Sequence, residues 1–205
     1  MQSYCAATRG QAGNFQGASM EVEIQGALPN LKKTGKLHAL RRISRLGRIT
    51  YQILGFEGDN TVKKEVIARY LSAEIEAQKN QSPLTAVTPD NYKFSYKGQV
   101  VLDGRDAHLF QVTPKKKRAE LFKGEIWIDA ATYLRVKESG YLVKSPSILL
   151  RRVAFTRQYE IRDGVSVPSH LESVVNTRLV GKAELTIDYS NFSFGEASAE
   201  EEAQQ

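Results

Sequence analysis

Cysteine is almost absent from this chain, and the single Cys5 excludes an internal disulfide, so cysteine usage does not identify the redox compartment. Only three histidines occur. His38, His108 and His170 stand apart, with no pair at helical or zinc-ligand spacing, so they read as surface or strand-edge residues, not metal ligands. No stretch reaches the roughly 18 apolar residues that a membrane-spanning helix needs. Met1 runs straight into Gln-Ser-Tyr-Cys, without the basic start and apolar core of a signal peptide. Ser-Tyr-Cys-Ala-Ala has the flavour of a lipidated cysteine but not the apolar segment that must precede one. There is no Gly-x-Ser-x-Gly elbow, and Gly55-x-x-Gly58 lacks the Lys-Ser/Thr of a phosphate loop. The gaps together predict a chain without a catalytic set, cofactor or metal.

What is present is the composition of a soluble globular domain: 41% hydrophobic and 25% charged residues in 205. Net charge is +6, unevenly spread. Four glutamates and no basic residue lie in the segment 195–205, which reads as an acidic disordered tail. Without those four, 29 Lys+Arg face 19 Asp+Glu, a body of about +10 suited to anionic partners. The run Pro114-Lys115-Lys116-Lys117-Arg118 has two readings, a phosphate-gripping or nuclear-import segment and a soluble hairpin loop. Strand patterns close on both sides favour the hairpin, so nucleic acid is an unfavoured partner.

Alternation at period two dominates from Asn91 to Phe194, with Asp103-Gly104, Ser139-Gly140 and Asp163-Gly164 as turn signals. Three earlier strands are predicted, around Met20, Val22 and Ile24, over Lys33 to Ser44, and over Arg48 to Phe56, where Ile49, Tyr51 and Ile53 share a face. The odd positions Val165, Val167, Leu171, Val175 and Leu179 form one row. A parity switch near Ser190 predicts a bulge or a strand end. Between the two groups of strands the period becomes helical. Val62, Val66, Ile67, Tyr70, Leu71 and Ile75 form one apolar stripe over Thr61 to Gln78, with Asp59 or Asn60 as N-cap. Residues 1–13 read as the last turns of a truncated helix or a flexible end. Strands without interleaved helices predict an antiparallel α+β fold of about ten strands and one good helix, and sequential hairpin neighbours suggest a meander.

Three arginines intrude on apolar rows. Arg41 falls with Leu37, Ala39 and Ile43, and Arg151 and Arg157 fall with Leu149, Val153 and Phe155. An inward arginine is costly unless paired. These three either snorkel at a sheet edge or mark a local bulge, or they rim a cavity, meeting a polar headgroup or a lid residue.

The segment Gly124-Glu125-Ile126-Trp127-Ile128-Asp129-Ala130-Ala131-Thr132-Tyr133-Leu134-Arg135-Val136 resembles a hairpin of the LolA/LolB-type lipoprotein carriers and related periplasmic lipid-binding proteins. The order of early strands, inserted helix and long meander is similar too. The resemblance implies a single LolA-like domain over 1–194, a curved antiparallel sheet left unclosed as a half-barrel and covered by one or more helices, whose concave face holds acyl chains, with Ser82-Pro83-Leu84 as candidate lid loop. It implies a non-enzymatic periplasmic or envelope protein binding a lipid or lipoprotein acyl chain, as a lipoprotein-sorting carrier does. Candidate cavity residues are Met20, Val22, Ile24, Phe94, Phe110, Ile126, Ile128, Phe155 and Leu171, with Arg41, Arg151 and Arg157 at the rim. The alternatives are an envelope sensor or protein-interaction module with a packed core, and a basic nucleic-acid binder.

Overall fold

The alternating segments do pair into one sheet. In the computed structural model, which describes residues 1–9, 11, 16–79, 84–145, 150–178 and 181–194, ten strands run antiparallel. They are β1 (Ser19–Leu28), β2 (Lys33–Ile43), β3 (Ile49–Gly58), β4 (Tyr92–Leu102), β5 (Arg105–Pro114), β6 (Phe122–Asp129), β7 (Arg135–Leu142), β8 (Leu150–Arg162), β9 (Val165–Thr177) and β10 (Lys182–Ser193). Their order is β3-β2-β1-β10-β9-β8-β7-β6-β5-β4. The sheet does not close. Its free edges are β3 and β4, which are consecutive in sequence and farthest apart in the sheet. This is the expected unclosed half-barrel. The tail 195–205, Leu149, Leu179, Ser82 and Pro83 lie outside the described residues.

Asp103-Gly104 and Asp163-Gly164 make the tight turns β4–β5 and β8–β9, all four residues having φ between 50° and 78°. Ser139-Gly140 does not turn. It lies inside β7, where Gly140 faces Gly124 of β6, and a Cβ on Gly124 would come within 2.0 Å of the Ser139 carbonyl oxygen. That pair needs glycine for close approach, which looks like a turn signal in one dimension. The hairpin motif from Gly124 does fold as a hairpin. Asp129 Oδ1 accepts from the Ala131 and Thr132 amides and from Thr132 Oγ1 at 3.1, 2.7 and 2.8 Å, which fixes the β6–β7 turn.

A bulge breaks one expected row. Ser169 is one extra residue in β9 between Pro168, opposite Tyr159, and His170, opposite Gln158. Leu171 therefore joins the main core, whereas Val165 and Val167 are buried outside it, beside Arg162 and Glu160. In β3 Ile49, Tyr51 and Ile53 stand opposite Ile43, Arg41 and Ala39 on one face, with Ile53 49% exposed on this edge strand; Leu54 is then an extra residue, after which Phe56 turns inward. The switch predicted near Ser190 is present, with Asn191 at φ 50° where β10 gains a residue on β1. The basic run 114–118 follows β5 into the β5–β6 connection, as the hairpin reading required.

Among the described residues, two helices cover the concave face. α1 (Gln2–Thr8) buries Tyr4, whose hydroxyl donates to the Val87 carbonyl at 3.1 Å. α2 is one helical run built of Asn60–Val62, a π turn over Lys63–Ile67, and Ala68–Lys79. Asp59 is its N-cap, accepting from the Thr61 amide at 2.6 Å. Val62, Val66 and Ile67 are buried against β1, β2 and β10, with Tyr70 and Leu71 packed beside them. Val62 sits on Gly26 and Gly35, where a Cβ on Gly26 would lie 2.8 Å from Val62 Cγ1. Glycine there lets the helix dock closely. Among the described residues no helix is long and apolar enough to cross a membrane.

Candidate functional site on the concave face

Register defines a row across all ten strands. From one edge to the other it reads Tyr96, Phe110, Ile126, Glu138, Arg157, Leu171, Ile187, Ile24, Leu37 and Phe56, each opposite the next. Directly opposed residues share a face. Eight members are apolar or aromatic, and the two in the middle are a carboxylate and a guanidinium.

Glu138, only 2% exposed, accepts three hydrogen bonds. Arg157 Nη1 and the Tyr159 hydroxyl donate to Oε1 at 3.0 Å each, and Arg135 Nη1 donates to Oε2 at 2.7 Å. Burial would raise the carboxyl above its ordinary value; Arg135 and Arg157 outweigh that and hold it below. Burial likewise works against both guanidinium charges, and Glu138 overrides it, so both arginines keep their protons more tightly than usual. The guanidinium of Arg135 lies 4.9 Å from the Tyr159 ring centroid, and that of Arg157 lies 4.8 Å from that of Phe155. Arg135 Nε is buried and, among the described residues, has no acceptor.

The Arg157 side chain keeps 48% exposure at the middle of this row, although Glu138 opposite it is buried. Tyr70, Tyr159 and Tyr189 near it are half-buried, and burial raises the pKa of each phenol. The middle of the concave face is therefore a water-accessible hollow at Arg157 and not wholly solid core.

A second polar cluster ties α2 to the sheet. Arg41, 8% exposed, donates from Nη2 to Glu74 Oε1 at 2.9 Å and from Nε to the Tyr51 hydroxyl at 3.2 Å, beside Met20 Sδ. The Tyr51 hydroxyl also donates to Glu74 Oε2. Gln78 donates to the Gly47 carbonyl at 2.8 Å. Of the two readings of Arg41, the structure gives the inward one, with a residue of the covering helix as partner.

Two openings flank α1. One, of about 350 Å³, lies between the helix and Pro89 and reaches Cys5. The other, of about 240 Å³, lies against the sheet, walled by Tyr4, Tyr96, His108, Phe110, Ile128 and Tyr133. That is just under the size of ordinary small-ligand pockets, which begin at about 300 Å³.

The candidate cavity residues divide accordingly. Met20, Val22, Ile24, Ile126 and Leu171 are packed into the core at 0 to 3% exposure. Phe110 and Ile128 line the smaller pocket, Phe94 stacks edge-on against Phe110, and Phe155 lies under Arg157. Arg151 is corrected as a rim residue and follows the bulge reading: it is the extra residue between Leu150 and Arg152, is exposed, and does not share the row of Arg157. Sequence reasoning missed Glu138, Arg135, Glu74 and the tyrosines. Glu138 had one available signal. It has the parity of Gly140 and Leu142 in a strand beside an inward arginine that needs a counter-charge. Among the described residues no cluster of three or more His, Cys, Asp or Glu is placed to hold a metal ion.

Among solved structures, the chain is similar to a DUF1329 family protein from Desulfovibrio piger, 15% identical, at a TM-score of 0.51, covering 100% of this chain and 98% of that one. A LolA superfamily protein from Nitrosomonas europaea is 12% identical at a TM-score of 0.43, covering 96% of this chain and 94% of that one. These likenesses concern the fold. No curated protein matches the sequence. A family model described as "Family of unknown function (DUF5686)" matches residues 56–183, from the end of β3 through α2 and the meander into β10. That is more than half of the sequence, and the chain belongs to the family DUF5686.

Proposed function

We propose that this chain is a non-enzymatic binding protein of the bacterial envelope that takes an acyl chain of a lipid or lipoprotein into its concave face. The observation that carries the reading is the incomplete filling of that face. Under α2 it is solid core, but between α1 and β4–β6 it opens into an aromatic-walled pocket, and over β7–β9 it stays wet. Each buried CH₂ contributes about 0.8 kcal/mol, so a short hydrocarbon segment suffices for useful affinity. The likeness of the fold to a LolA superfamily protein agrees with this reading and with a periplasmic location.

Native mass spectrometry and lipid extraction of protein purified from a membrane-containing host test it. Co-purifying lipid is expected, and Phe110→Glu, which puts a charge into the pocket wall, is expected to reduce it. Lipid-free protein that takes up no lipid from detergent-solubilised membranes would sink the reading.

A second reading rests on the sheet edges. β3 and β4 are 10 and 11 residues long and expose Ile53, Leu54, Tyr96 and Val101. Long open edges pair readily with an added strand, as in an envelope sensor that docks a protein partner. In-cell crosslinking from residues on β3 separates the two readings. A recurring protein partner supports docking, and lipoproteins alone count against it.

A further inference from the structure

The charge count inside the hollow does not balance. Arg135 and Arg157 face a single carboxylate, Glu138, which uses one N–H of each guanidinium. Arg135 also carries a buried Nε–H without an acceptor among the described residues. The neighbouring titratable groups do not compensate. Tyr70, Tyr159 and Tyr189 stay protonated and neutral, and Glu74 is committed to Arg41 and Tyr51. An excess positive charge taken partly out of water is costly unless something pairs with it. Arg157, wet and with four N–H groups unused among the described residues, is where a ligand acceptor would arrive.

The surroundings of that charge are apolar. Ile126 and Leu171 flank the Glu138–Arg157 pair in the row, Phe155 lies beneath the guanidinium, and Phe122 packs on Phe155 at 5.2 Å. On the other side Arg135 stands opposite Ile128, a wall of the pocket under α1. These apolar side chains are 0 to 8% exposed, so they back the charge as packed core, and the aromatic pocket under α1 lies apart from it along the row.

We infer that the hollow binds an anionic amphiphile, its carboxylate or phosphate head on Arg157 and Arg135. The assignment rests on the acyl-chain reading above and adds the head group. Glu138 is a positioning residue, holding both guanidinium groups in place through bonds on separate oxygens.

Displacement of the neutral fluorescent probe N-phenyl-1-naphthylamine from the full chain, at neutral pH and low salt, measures this. Dodecanoate is expected to bind about ten- to a hundredfold more tightly than 1-dodecanol, the ratio given by one charge-assisted hydrogen bond. Dodecyl phosphate, run alongside, tells the two head groups apart. Arg157→Met keeps the apolar stem and is expected to abolish the preference while dodecanol still binds; Arg157→Lys is expected to retain part of it. Equal affinity of wild type for the acids and the alcohol overturns the inference and leaves the acyl-chain reading standing. No displacement by any of the three overturns both. Release of dodecanoate by inorganic phosphate at comparable concentration overturns the amphiphile in favour of a free anion.

Discussion

Replacing Glu138 by glutamine tests whether the centre of the row is held by charge. The amide keeps the shape of the carboxylate and one acceptor oxygen. In its better orientation that oxygen retains the bonds from Arg157 and Tyr159, and the new NH₂ then faces the Arg135 donor that Oε2 used to accept. One charge-assisted bond is lost outright, worth about 1.5–3 kcal/mol, and two arginines remain without a counter-charge. Removing one partner of a fully buried pair costs about 3–5 kcal/mol. Here the Arg157 and Arg135 side chains are 48% and 27% exposed, so water takes up part of that cost. The expected loss is about 2–3 kcal/mol, or roughly 4–12 °C in melting temperature for a chain of this size.

The same experiment has a pH arm with a definite sign. The folded Glu138 carboxyl lies below its ordinary 4.5, so its contribution is present above that value and is lost as pH falls through the folded value. Wild type and Glu138→Gln should therefore differ at neutral pH and converge in acid. Urea unfolding from neutral pH down through the carboxylate range reads both effects. A difference below about 0.5 kcal/mol at neutral pH, or one that stays constant into acid, refutes the reasoning.

Three further outcomes follow from the same contacts. Gly26→Ala places a methyl 2.8 Å from Val62 Cγ1 and is expected to cost about 1–3 kcal/mol in urea unfolding, with faster amide exchange in the first turns of α2. Arg41→Met alone strands Glu74 and is expected to destabilise by about 2–4 kcal/mol, whereas Arg41→Met with Glu74→Leu recovers most of the loss; a double variant no better than the single contradicts the pairing. His170 is held above 6.5 because Asp188 and Glu172 outweigh its desolvation, so the stability it contributes is full below 6.5 and is lost as pH rises through its folded value. An NMR titration midpoint for His170 above that of a denatured reference is expected, and a midpoint at or below it contradicts the contact.

The sheet was legible in the sequence because alternation is a local property. Met20, Val22 and Ile24 could face only one way, and the helical stripe from Val62 to Leu71 needed only the change of period. The bulges were less legible. The switch near Ser190 showed in the pattern because Phe192 and Phe194 changed parity. The one at Ser169 did not, because Val165 and Val167 found a separate buried environment and kept the same numbers. The site was half legible. An arginine inside an apolar row announces itself, so Arg41 and Arg157 stood out. Their partners, 33 and 19 residues away, are brought to them by a helix crossing and a strand register that no window along the chain contains.

The two free edges of the sheet are neighbours in the chain. β3 ends at Gly58 and β4 starts at Tyr92, so the segment between them, α2 included, has to travel from one lip of the half-barrel to the other. The covering helix does not hang between the lips, because Val62 on Gly26 and Gly35, Arg41–Glu74 and Gln78–Gly47 fasten it along its length to the strands on the β3 side. The cover therefore belongs mechanically to the β3 lip and moves with it as one body.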